Sequence, residues 1–228
     1  MELKILEKYP IITKAEIKKI ISCSDSYAYT VLNRLLERGK IKKVIKGKYT
    51  TKDDIYPIAT NLFYPCYLSF WSCSYFKGYT GQILNTLQIA TTRPHRDINF
   101  ENYTIKFIKM SKKTFFGYEK VKYADNFIFL ADNEKLIIDL ISHEHLAGNF
   151  DEIIQVINSS SIDENKLVNY LKFLNNKSLM KRLGFLLEHY KGIDISEKIK
   201  YRDNNIIQLF RYLGKRKINK KWQVKHDI

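Results

Sequence analysis

Apolar positions in the first fifty residues recur at two spacings, and the spacing changes near residue 39. Before it, in "TKAEIKKII" (13–21) and "SYAYTVLNRLLER" (26–38), the repeat is helical. Ile17, Ile20 and Ile21 share one face of the earlier segment. Ala28, Val31, Leu32, Leu35 and Leu36 fall at i, i+3, i+4, i+7 and i+8 in the later one. Thr13 followed by Glu16 predicts a capping box, and Ser24 or Asp25 predicts the next N-cap. Gly39 predicts the stop. After it, Ile41, Val44 and Ile45 predict a strand, Lys46-Gly47 a tight turn, and Lys48-Tyr49-Thr50 the returning strand. With a short helix over 2–8 in front, the order is helix, helix, turn, helix, hairpin. That order predicts a winged helix-turn-helix over residues 1–56.

Asp53-Asp54 and Pro57 mark a boundary, and the pattern beyond it changes again. Residues 66–77 read as a helix. Residues 87–92, 103–110, 114–123 and 127–131 read as strands. From Asp132 on the period is helical, over 133–143, 150–158, 163–175, 177–190 and about 203–213. Strands first and helices second predict an α+β fold rather than a doubly wound sheet. The expected architecture is the winged helix, then a mixed domain over 57–199 with a small antiparallel sheet and a C-terminal helical bundle. A basic C-terminal helix or tail over 200–228 follows. Residues 55–76 carry no charge, but two prolines, Asn61 and several hydroxyl side chains make them buried core rather than a membrane span.

Charge sharpens this division. The chain holds 39 Lys and Arg against 24 Asp and Glu, a net +15. Residues 1–56 carry 13 cations and 7 acids, net +6; residues 200–228 carry 9 and 2, net +7. The body between is nearly neutral. Such a balance favours an anionic partner. Cys23, Cys66 and Cys73 match no metal or redox spacing and fit free thiols in a reducing cytoplasm. The N-terminal "MELKILEKYP" has acidic residues in its apolar run and is not a signal-peptide pattern.

In a helix-turn-helix the second helix enters the major groove. Its outward positions here are Ser26, Tyr27, Tyr29, Thr30, Asn33 and Arg34. Arg34 can reach guanine or phosphate, and Asn33 can pair with adenine. Tyr27 and Thr30 can touch phosphate or a thymine methyl. Lys42, Lys43, Lys46 and Lys48 on the hairpin are expected along the DNA backbone or minor groove. As point charges they position more than they specify. The tail adds Arg211, Lys215, Arg216, Lys217, Lys220, Lys221 and Lys225 around Trp222. It fits a second nucleic-acid contact, an arm for an acidic partner, or a solvated terminus.

Five segments carry a resemblance: "YLSFWSCSYFKGYT" (67–80), "IATTRPHR" (89–96), "KTFFGYE" (113–119), "FIFLADNEKLIIDLI" (127–141) and "KRLGFLLE" (181–188). In that order they resemble the AbiEi antitoxins of the AbiE abortive-infection (type IV) toxin–antitoxin systems, over roughly residues 10–195. Asn133 stands where that family commonly has proline, and Cys73 where it has alanine. The resemblance implies a winged helix that represses the operon's own promoter, and a C-terminal domain that neutralises a nucleotidyltransferase-like toxin. Double-stranded DNA and that toxin are the implied partners. The family supplies no catalytic residues.

The remaining chemistry reads as structural. Asp132 sits at a helix cap, Glu134 in the first turn favours the helix dipole, and Asp139 lies further along the helix. His143 and His145 are two apart and share no helical face, so they predict no zinc site. Arg93, His95 and Arg96 form an expected basic cluster at a strand end, a candidate partner surface together with Arg182. Gly184 lies mid-helix, where close packing is the expected reason. No phosphate loop, nucleophile elbow or cofactor motif is present, so no enzyme is expected. Two other readings fit the same pattern. One is a winged-helix regulator with a ligand-binding or dimerisation domain; the other is an accessory subunit of a nucleic-acid-processing enzyme.

Overall fold

Capping sets where the first helices begin. The computed structural model describes residues 2–82, 84–210 and 217–228. After α1 (Glu2–Leu6), Thr13 caps α2 (Lys14–Ile21) in a complete capping box: its side chain accepts the Ala15 amide, and its own N–H donates to Glu16 Oε2 at 2.9 Å. Ser22 ends α2 in the left-handed region at φ 49°. Ser24 then accepts the Tyr27 N–H and opens α3 (Asp25–Glu37). Gly47, at φ 79°, turns the hairpin of β1 (Lys42–Ile45) and β2 (Lys48–Thr50). Ile12 joins that hairpin: its N–H donates to Tyr49 O at 2.7 Å, and the Tyr49 N–H donates back at 2.9 Å. Leu6, Ile12, Ile17, Ala28, Leu32, Ile41 and Tyr49 close one small core, with Ile20, Ile21, Val31 and Leu35 against it. Leu36, the last position of the expected stripe, is exposed instead.

The chain divides into two compact units, and neither is continuous in sequence. The first comprises Met1–Leu68, Asn85–Met110 and Glu119–Leu130. The second comprises Ser69–Leu84, Ser111–Tyr118 and Ala131–Ile228. The division therefore does not fall at 56/57 or at 199/200.

In the first unit, Asp54 caps α4 (Ile55–Asn61), whose Ile55, Ile58 and Ala59 are buried. Next comes β3 (Cys66–Leu68), a strand within the stretch expected to be one helix over 66–77. All three of its residues are buried, and a continuous apolar run does not distinguish a central strand from a buried helix. The sheet also contains β4 (Thr86–Thr91), β5 (Ile98–Phe100), β6 (Tyr103–Lys109), β7 (Tyr118–Tyr123) and β8 (Asn126–Ala131), in the order β5-β6-β4-β3-β8-β7. It is mixed, not antiparallel as expected. β4 pairs with β6 in parallel from Thr86↔Thr104 to Thr91↔Lys109, and β3 pairs with β8 in parallel. The cause is β5, a three-residue strand between β4 and β6 that pairs antiparallel with β6 at the edge and reverses the chain's direction once more.

In the second unit, α5 (Phe70–Phe76), α7 (Phe150–Ser159), α8 (Glu164–Leu174) and α9 (Lys177–Lys191) pack on α6 (Asn133–Ser142). A 3₁₀ turn at Glu144–Leu146 follows α6. Every residue of α6 from Glu134 to Ile141 is buried. The chain ends in a small sheet, β9 (Ile207–Gln208), β10 (Lys217–Asn219) and β11 (Val224–His226), ordered β10-β11-β9. The helix expected over 203–213 is thus replaced by strand at Ile207–Gln208, which pairs with Val224 and Lys225 in parallel. Arg211, Lys215 and Arg216 lie outside the described residues. The coarse class is α+β.

Candidate nucleic-acid interface

The outward face of α3 follows from its buried face. Ala28 and Leu32 point into the core, so Ser26, Tyr27, Tyr29, Thr30 and Arg34 are exposed, and Asn33 is half-buried. Tyr27 and Tyr29 stand out, at 51% and 58% exposure. Large aromatic side chains held this far into solvent offer flat surfaces and hydroxyls for a partner. Thr30 is partly committed, since its hydroxyl donates to Ser26 O at 3.1 Å.

The four hairpin lysines separate into two kinds. Lys43 and Lys46 are exposed, and among the described residues no carboxylate pairs with either. Lys42 is held by Asp53 and Glu101, each at 2.5 Å. Lys48 is half-buried: its ammonium donates to Leu62 O and lies 4.3 Å from the Phe63 ring centroid. Burial pushes its pKa down. Lys48 is therefore engaged within the first unit, not free along the hairpin, because the carbonyl and ring that hold it arrive from the two residues that follow α4.

A third feature had no sequence expectation. Asp25, the first residue of α3, accepts Lys14 Nζ at 2.6 Å and Lys18 Nζ at 2.7 Å. Lys14 and Lys18 are one turn apart on α2, and that spacing was the available signal.

The expected basic cluster is smaller than its sequence. Arg93 and Arg96 are exposed. His95 instead stacks on Phe63, with centroids 3.8 Å apart and planes 8° apart, and meets Phe107 edge-on at 5.4 Å. Burial, then the nearby Lys48 and Arg93 cations, push its pKa down, which favours the neutral ring. Arg182 is half-buried rather than a surface cation, and its Nε donates to Gln208 O at 2.9 Å.

The acidic residues of "ADNEKLIIDLI" support α6. Asp132 accepts the Lys135 N–H at 2.8 Å and the Tyr170 hydroxyl at 2.7 Å. Glu134 accepts the Asp163 N–H at 2.8 Å, and Lys166 lies 3.1 Å from both acids. Asp139 and Lys135 form a buried ion pair, and the Ser69 hydroxyl donates to Asp139 at 2.7 Å. These carboxylates are enclosed, and each has a cation and a hydrogen-bond donor as partners. Among the described residues, no group of three His, Cys, Asp or Glu is placed to hold a metal ion. No described helix is long and apolar enough to cross a membrane.

The basic end is also partly folded away. Trp222 is fully buried, and its Nε1 donates to Glu188 Oε2 at 2.5 Å. Lys221 pairs with Glu188 and Asp194, each at 2.7 Å. Lys217 and Lys220 remain exposed. No protein-family model matches the chain, and no curated protein sequence matches it.

Proposed function

We propose that the chain is an antitoxin and transcriptional autorepressor, with a winged helix-turn-helix that binds its own promoter and a body that opposes a nucleotidyltransferase-like toxin in the cytoplasm. The observation that carries the DNA half is the exposed face of α3, with Tyr27, Tyr29 and Arg34, beside a hairpin carrying the free Lys43 and Lys46. The Ile12 bridge supports this reading, since it gives the hairpin a third partner and holds it against the helices. On this reading α3 supplies base contacts and the hairpin supplies phosphate contacts. The toxin half rests on the resemblance of the five body segments to AbiEi antitoxins.

The test is a salt series of binding to the upstream DNA of the chain's own gene and to a scrambled duplex. Preference for the upstream DNA is expected. Lys43→Ala and Lys46→Ala should each lower the log–log salt slope by about 0.9, whereas Lys48→Ala should leave it unchanged. Equal binding to both duplexes would refute the repressor half. Co-expression with the neighbouring gene product tests the other half: growth arrest that the chain fails to relieve would refute it.

A further inference from the structure

Asp25 stands at the end of α3 that a recognition helix presents to DNA. We infer that Asp25 is a specificity-determining residue: by holding Lys14 and Lys18 in internal ion pairs, it suppresses sequence-independent binding to the DNA backbone. This inference rests on the reading of residues 1–56 as a DNA-binding winged helix.

The geometry bears on charge more than on stability. The three side chains are about half exposed, 57% for Asp25, 49% for Lys14 and 53% for Lys18. Exposed pairs of this kind contribute little to folding. α2 and α3 are already joined through Ile17, Ala28 and Leu32 in the core. What the cluster does change is the charge offered to a polyanion. A bare helix N-terminus, with two ammonium groups beside it, attracts any phosphate regardless of sequence. Asp25 places a carboxylate at that point and engages both ammonium groups. The hydrogen bond from Lys14, then that from Lys18, hold the Asp25 pKa at about 2, so the cluster persists across ordinary pH.

Sequence-independent affinity grows with the number of phosphates a protein neutralises, through counterion release. Asp25 subtracts two cations from that number. It leaves untouched Tyr27, Tyr29 and Arg34, which face outward on α3 and on this reading touch bases. A base-specific contact therefore counts for a larger share of the binding that remains.

The experiment uses the full chain and two fluorescein-labelled duplexes, the upstream sequence and a scrambled one, each titrated by anisotropy over a potassium chloride series. Asp25→Asn should bind the scrambled duplex more tightly and steepen its log–log salt slope by up to about 1.8, two contacts at about 0.9 each. The ratio of upstream to scrambled affinity should fall. Adding Lys14→Ala and Lys18→Ala to that variant should restore the wild-type slope. In the wild-type background the same two lysine changes should leave the slope unmoved, a readout that does not depend on Asp25→Asn folding. An unchanged scrambled-duplex slope in Asp25→Asn overturns the inference. So does a shallower slope when the lysines are removed from the wild type, because they would then already contact phosphate. Either result leaves the DNA-binding reading intact as long as the wild type prefers its upstream duplex. If neither wild type nor Asp25→Asn binds either duplex, both readings fall.

Discussion

Replacing Gly184 by alanine sets two physical effects against each other. Helix propensity alone favours the change by about 1 kcal/mol, because glycine is the more costly residue in a helix interior. Packing opposes it. A Cβ on Gly184 would lie 2.1 Å from Trp222 Cζ3, 2.2 Å from Cη2 and 2.6 Å from Cε3. Carbon atoms in contact sit about 3.5–4.0 Å apart, so the indole would have to retreat by roughly 1.5 Å. It has little freedom to do so. Its Nε1 is fixed on Glu188, its backbone N–H donates to Asn219 Oδ1 at 2.9 Å, and the Tyr201 ring lies 4.5 Å away. Overpacking costs about 1–3 kcal/mol, and loss of a buried tryptophan's packing about 3–5 kcal/mol. Taking about 3 kcal/mol for a partly displaced ring, and subtracting the propensity gain of about 1 kcal/mol, gives a net loss of about 2 kcal/mol. Urea unfolding followed by tryptophan fluorescence measures it directly, since both tryptophans, Trp71 and Trp222, lie in the second unit. With a slope of about 1–3 kcal/mol per molar urea, the midpoint should fall by roughly 1 M. Trp222→Leu in the same background should relieve part of the cost, so the two changes should be non-additive by at least about 1 kcal/mol. A midpoint that rises in Gly184→Ala, or additive effects in the double variant, would refute the claim that the terminal sheet packs its tryptophan onto α9.

Two further outcomes test the second unit. Lys135→Met removes the cation from a buried carboxylate and should destabilise the chain by roughly 3–5 kcal/mol; a near-wild-type urea midpoint would refute the buried Lys135–Asp139 ion pair as a support of the fold. Asp194 has its pKa lowered to about 2 by Lys221 and then by the Ser196 N–H. Its stabilising effect should be complete above the ordinary Asp value of about 3.9 and lost as pH falls through about 2. A carbon-13 titration of its carboxyl should show that low midpoint, and a midpoint near the ordinary value would mean that the Lys221 pair does not form in solution.

The readable parts of the sequence were those whose cause is local. A capping box needs only Thr13 and Glu16, and the start of α6 needs only Asp132. The strands at 86–91, 103–109 and 126–131 were visible because their apolar residues repeat within a few positions. Where the sequence misled, a distant partner decided the outcome. "NNIIQLF" carries an apolar cluster that suits a helix, yet Ile207 and Gln208 are strand because Val224 and Lys225 arrive beside them. Trp222 sits in a run of lysines that reads as a solvated arm. Its ring nevertheless fills the space left by a missing side chain at Gly184, and nothing near residue 222 announces that space.

The same logic governs the candidate interface. Which residues of α3 face outward follows from the helical period, because Ala28 and Leu32 fix the buried side. Which cations remain available does not follow, because a count of lysines treats them as equal. Lys42 is engaged by Glu101, 59 positions away, and Lys48 by the Leu62 carbonyl. Lys14 and Lys18 are engaged by Asp25 across a turn. Net charge measures attraction to a polyanion at long range, where internal pairs are seen only as a sum. At contact distance a phosphate would compete with each lysine's own carboxylate, and only the phosphates actually neutralised add to a salt slope. Residues 1–56, at net +6, therefore offer a polyanion fewer unpaired cations than their charge suggests.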